Sequence, residues 1–242
     1  MLHVFGDSFS IPDSHRNEVF GPKGTPITYL PLEKNWTTIV NESIYGNSEY
    51  ENHAVLGCSN DYIYYKLFEK EPFFKDGDCI IIQLTSMYRE WFFENKPYLA
   101  TNLGISLTPD VEVTKKEYEA LEMYKRHLYF EKRPLIRFNM FLDSLSLRTQ
   151  LYGKKNIKCL ILPGFHNIKG VEGSLCEASG LEFDCEKTAI AYYNKTGDYR
   201  FNHFSEVNHK ILANKIINFF DTFEKVDLTT GFETNIYSRN DI

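Results

Sequence analysis

The sequence predicts an α/β fold, a three-layer α/β/α sandwich with a flavodoxin-like parallel sheet and a helical insertion after the third strand. Three observations carry that prediction. The first 84 residues run strand, helix, strand, helix, strand, which is the order of right-handed βαβ crossovers. The third of those strands, Cys79 to Leu84 (CIIIQL), is an almost unbroken apolar run, as expected of a parallel strand covered on both faces. The last clear segment, SEVNHKILANKIINFF, opens on Ser205 as an N-cap and carries apolar residues at helical spacing.

Each element has its own local reason. Leu2 to Phe5 form a short apolar strand, stopped by Gly6-Asp7-Ser8. A helix starts near Trp36 and places Trp36, Ile39, Val40 and Ile44 on one face. The stretch EYENHAVLGCSNDYIYYKLFEK then gives a short strand, a Gly57-Cys58-Ser59-Asn60 turn, and a helix carrying Ile63, Leu67 and Phe68. Gly77 breaks the chain before the third strand. Residues 86–113 are irregular and rich in aromatics. Thr114 with Glu117 makes a capping box for a helix to about Phe130, and Pro134 starts a second with Leu135, Phe138, Leu142 and Leu145 at helical spacing. These fall in the insertion, about residues 92–150, which is read as packing against the sheet, with a lid or partner surface as the alternative. NIKCLILPGF is a strand from about Ile157 to Leu162, stopped by Pro163-Gly164. Residues 165–200 show no clear pattern. The final helix is expected to face inward through Val207, Ile211, Leu212, Ile216 and Phe220. A single domain over 1–225 followed by a polar tail over 226–242 is the expected organisation.

Composition narrows the function classes. At 242 residues the chain can bury a substantial core, and 43% hydrophobic with 25% charged residues is ordinary for a globular protein. A formal net charge of -6 argues against a nonspecific nucleic-acid binder, which would carry a basic face. The five cysteines form no CxxC pair or tight cluster, which fits a reduced compartment. No apolar run approaches the roughly 20 residues of a membrane span. The first strand leaves no room for a signal peptide, so a cytoplasmic location is expected.

Three turns lie at the carboxyl end of an expected strand or the amino end of an expected helix: Gly6-Asp7-Ser8-Phe9-Ser10, Gly57-Cys58-Ser59-Asn60, and Asn202-His203-Phe204-Ser205. In open α/β sheets that edge is where ligands bind. Together, FGDSFS, NHAVLGCSND and NHFSEVNHKILANKI resemble the blocks of the SGNH/GDSL hydrolase superfamily. The order and spacing of the blocks cover most of the chain, although their motifs occupy only about thirty residues. The resemblance implies Ser8 as nucleophile, Gly57 as a backbone oxyanion donor and His203 as general base.

Elementary chemistry agrees. A serine hydroxyl is a poor nucleophile until a base takes its proton. Acyl transfer also needs N–H donors aimed at the developing oxyanion, worth roughly 3 to 4 kcal/mol for each one removed. Ser8's own N–H can serve, and Gly57 has no side chain to obstruct a substrate oxygen.

Two positions depart from the family pattern. The family places Asp three residues before its histidine, where this chain has Arg200. Asp198 is the nearest carboxylate able to orient His203, and a backbone carbonyl is the alternative. The family also has Gly-x-Asn after the third strand, where this chain reads Thr85-Ser86-Met87. Asn60 or, more weakly, Thr85 is expected to supply the missing donor. Arg89 and Trp91 could reach the substrate cleft, or be a solvated arginine and a core tryptophan; Asp7 is expected to be structural, and His209 a satisfied surface or core histidine. Neither the histidines nor the cysteines show ligand spacing on one element, so no metal site is expected, and no cofactor is implied.

The expected function is ester hydrolysis through an acyl-enzyme, on a small-molecule or glycan ester with a small acyl or acetyl group. The alternative is a catalytically silent module of the same fold that binds a glycan or protein partner. Thioesterase or lipase-like action on longer chains is a third reading. Neither glycine turn has a nucleotide-binding pattern.

Overall fold

The computed structural model describes residues 1–11, 35–46, 48, 50–55, 57–91, 114–127, 130, 132–178, 181–183, 204–233 and 235–237. Among the described residues, four strands form one all-parallel sheet: β1 (Leu2–Phe5), β2 (Glu51–Asn52), β3 (Cys79–Gln83) and β4 (Lys158–Leu162). Their order across the sheet is β2-β1-β3-β4. Leu2 pairs with Cys79 and Phe5 with Ile82, while Cys79 pairs with Lys158 and Gln83 with Leu162. The helices are α1 (Trp36–Tyr45), α2 (Asn60–Lys70), α3 (Lys115–His127), α4 (Arg133–Lys154), α5 (Leu175–Ala178) and α6 (Glu206–Thr222). A separate parallel pair joins β5 (Leu181–Phe183) to β6 (Asn235–Tyr237).

Strand alternation sorts the core into two layers. Leu2, Val4, Cys79, Ile81, Leu160 and Leu162 face α1 through Trp36 and Val40, and α6 through Leu212, Ile216 and Phe220. Phe5, Ile80 and Ile82 face the opposite side, against Ile63 and Leu67 of α2 and Phe138, Leu145 and Tyr152 of α4. With apolar partners on both faces, β1 and β3 are wholly buried, which is why they read as unbroken apolar runs. The protein is therefore a three-layer α/β/α sandwich.

The helical insertion divides differently from the expectation. Residues 92–113 lie outside the described residues. The second helix extends to Lys154 and is the crossover between β3 and β4, because Phe138, Leu145 and Tyr152 form a stripe that covers the sheet. It belongs to the layer itself.

The buried face of α6 is also rotated from the expected one. Val207 is 43% exposed, whereas Asn208 and His209 are buried. The reason is hydrogen bonding. The Asn208 side chain donates to Ala178 and Glu233 carbonyls at 3.3 and 2.9 Å and accepts from Glu233 N–H at 2.8 Å. His209 Nδ1 accepts from Trp36 N–H at 3.3 Å. Polar side chains with partners can be buried where an unpaired one could not. Residues 226–233, expected to open a polar tail, instead bring Val226 and Leu228 into the core. Leu228 N–H bonds Glu172 carbonyl at 2.9 Å. Among the described residues no helix is long and apolar enough to cross a membrane.

The strand order places the candidate functional edge. From β1 the chain crosses to β2 on one side, and from β2 it crosses to β3 on the other. The edge beyond the carboxyl ends of β1 and β3 is thus the switch point, the place where open α/β sheets hold ligands.

Candidate active site

The turn that leaves β1 is built by its neighbour strand. One register step beyond the Phe5–Ile82 pair, Gly6 meets Gln83. A Cβ on Gly6 would lie 2.5 Å from Gln83 Oε1 and 2.8 Å from Ser10 Oγ, so only glycine fits the approach. Gln83 Oε1 accepts from Asp7 N–H at 2.8 Å and from Ser10 Oγ at 3.1 Å. Its Nε2 donates to Leu84 carbonyl at 2.6 Å. Ser10 N–H closes the turn on Asp7 carbonyl at 3.0 Å, which leaves Ser8 at the second position, 9% exposed.

Asp7 is the hub of this edge. Its carboxylate is fully buried and accepts from Phe9 N–H at 3.2 Å, Thr85 Oγ1 at 2.7 Å and Arg89 Nη1 at 2.8 Å. Arg89 Nη1 also donates to Thr85 Oγ1 at 2.7 Å. A buried carboxylate with three donors and a counter-charge is fully satisfied, as a positioning group requires. The guanidinium lies 5.1 Å from the centre of the Phe165 ring, and Phe165 meets Phe9 edge-on at 5.6 Å. Arg89 keeps 20% exposure of its side chain, and its Nε and Nη2 have no partner among the described residues.

The second turn folds back onto the first. Val55 N–H bonds Gly6 carbonyl at 3.0 Å, and Gly57 then reverses the chain at φ 66°, a left-handed conformation that glycine tolerates best. Ser59 caps α2 by accepting Tyr62 N–H at 3.3 Å. This leaves Asn60 as the first helical residue. Its Nδ2 donates to Thr85 carbonyl at 3.1 Å, and its Oδ1 accepts Thr85 N–H at 2.9 Å. Asn60 is thereby a two-way clamp between α2 and the loop after β3. Cys58 is a poor rival to Ser8 as nucleophile: burial, reinforced by the Asp7 carboxylate, pushes its thiol up, so it stays protonated.

Of the residues singled out from the sequence, Ser8, Gly57, Asn60, Thr85 and Arg89 converge at this edge. His203, Asp198 and Arg200 lie outside the described residues. Phe204, which follows His203, packs its ring 5.9 Å from Phe9, which follows Ser8. Trp91 stacks against α2 instead, 5.2 Å from the Tyr62 and Tyr65 rings.

No family model and no curated protein matches the chain. Among solved structures, it is similar to one described by the words "the active site of a carbohydrate esterase displays divergent catalytic and non-catalytic binding functions". The TM-score is 0.35 at 11% identity, over 91% of this chain and 68% of that one. A likeness this slight leaves the site to be argued from its own residues.

Two organising residues escaped the sequence reading. Gln83 had a signal, a lone amide closing an otherwise apolar strand. Phe165 had only its place after the Pro163-Gly164 stop.

Proposed function

We propose that the chain is a serine esterase that removes a small acyl group, such as acetyl, from a small-molecule or glycan ester. Ser8 Oγ attacks the ester carbonyl while His203 takes its proton. His203 then returns that proton to the departing alcohol, and water, activated by the same imidazole, releases the acid from the acyl-Ser8 intermediate. Asp198 is assigned to orient His203. Gly57 N–H faces the oxyanion. Asn60 holds Thr85 in place, and the Arg89 N–H groups not bound to Asp7 and Thr85 donate to the substrate.

The observation that carries this reading is the setting of Ser8. It stands on the turn out of β1 at the switch point, and its neighbour Phe9 touches Phe204, the neighbour of His203. The test is hydrolysis of p-nitrophenyl acetate with stoichiometric fluorophosphonate labelling of Ser8. Turnover that persists unchanged in Ser8→Ala would remove the proposal. Arg200, in place of the family's Asp, favours the silent binding module as the second reading. Absence of both labelling and turnover in the folded protein would point there.

A further inference from the structure

A second group of polar side chains lies on the α2 face of the sheet and takes no part in the ester chemistry above. The β1–β2 register sets His3 opposite Glu51, and His53, two residues on, shares that face. Glu51 Oε2 lies 3.6 Å from His3 Nδ1 and 3.1 Å from His53 Nε2. The three atoms all fall within 4.8 Å of one another.

His3 is only 4% exposed, and among the described residues both His3 Nδ1 and His53 Nε2 are buried without a hydrogen bond. His53 Nε2 is close to the carboxylate but not aimed at it, as two ligands of a shared ion are not aimed at each other. Atoms coordinated tetrahedrally at about 2.0–2.1 Å sit ~3.3 Å apart, and the two distances to Glu51 bracket that value. Behind His3, Asp78 Oδ2 stands 3.4 Å from Nε2 and is itself held by Lys75 N–H at 2.7 Å. A carboxylate there keeps the proton on Nε2 and turns the Nδ1 lone pair toward Glu51, the outer-shell arrangement of histidine ligands.

We propose that His3 Nδ1, Glu51 Oε2 and His53 Nε2 bind one Zn²⁺-like divalent ion and leave a fourth position for water. Two imidazoles and one carboxylate form a donor set suited to zinc. The ion ties β2, an edge strand of two residues, to β1. Lys70 Nζ, 3.6 Å from Glu51 Oε2, balances that carboxylate when no ion is bound and can swing aside on its flexible stem. His3 comes from β1, Glu51 from β2 and His53 from the residue just past β2, whose N–H bonds Val4 carbonyl, so no spacing along one element marks the group.

The experiment is calorimetric titration of untagged, chelator-stripped protein with Zn²⁺, paired with the visible absorption of its Co²⁺ form. One ion per chain is expected, together with a higher melting temperature in Zn²⁺. His53→Ala and the bulkier His53→Gln should both abolish the binding heat and the cobalt bands. Asp78→Asn should weaken binding about 10- to 100-fold. Lys70→Gln should bind at least as tightly as the parent. No zinc heat from the folded parent protein, or the same heat from both His53 variants, would overturn the proposal.

Discussion

The carboxyl edge of β1 and the histidine group between β1 and β2 are both made of buried polar side chains, yet they are opposites. At the edge, the Asp7 carboxylate meets Phe9 N–H, Thr85 and Arg89, and the Gln83 amide is engaged at both ends. In the histidine group, two ring nitrogens are buried with no hydrogen bond among the described residues. The difference teaches how to read buried polarity. A satisfied network fixes the geometry of what lies beside it, here Ser8, whereas an unsatisfied one is where a test for a ligand is worth making.

The comparison can be broken from the edge first. Ser8→Ala should lower kcat for p-nitrophenyl acetate by at least ~10³-fold, with His203→Ala of similar order, because nucleophile and base act as one unit. Stopped-flow release of nitrophenolate measures both. A residual rate near that of the parent would make the edge a binding surface only.

Asp7→Ala should cost about 3–5 kcal/mol in urea denaturation, since it leaves Arg89 without its counter-charge and Thr85 without its acceptor. A cost under ~1 kcal/mol would mean that the network does not act as a unit. Gln83→Leu is the milder cut. It orphans Asp7 N–H and the Ser10 hydroxyl, for about 1–3 kcal/mol by the same measurement.

The smallest effect is a pH dependence. Among the described residues His166 Nε2 is buried without a hydrogen bond, and burial holds its pKa below the ordinary value. The unfolded chain therefore binds this proton more readily than the native state, and stability should fall as pH drops below about 6.5. Urea midpoints at about pH 7 and pH 5.5 should differ less in His166→Phe than in the parent. Equal slopes would show that the buried nitrogen contributes nothing.

Much of the framework was legible because it rests on local pattern. β1 was legible residue for residue, and β3 to within one residue, since a strand buried on both faces writes itself as an apolar run. The start of α1 at Trp36 and the Ser205 cap of α6 were legible from helix chemistry. The face of α6 was not, because Asn208 and His209 are buried only by virtue of partners on other elements, at Ala178, Glu233 and Trp36. The polar stretch after Lys225 hid its role for a related reason: Val226 and Leu228 suffice to dock it, but only a fold that offers them a slot reveals this.

At the candidate site, the sequence marked Ser8, Gly57 and Asn60 because glycine, serine and asparagine announce turns and caps, and Thr85 and Arg89 by their place after the third strand. It could not show that Asn60 clamps the Thr85 backbone or that Gln83 organises the Ser8 turn.

By itself, then, the sequence determined the layer order, the strands of the core and the turns at the carboxyl edge of the sheet, because periodicity and turn residues act over a few positions. Tertiary structure alone decided which buried polar atoms found partners. Strand register brings Gly6 against Gln83 and His3 against Glu51 from distant parts of the chain, and no local pattern encodes a register.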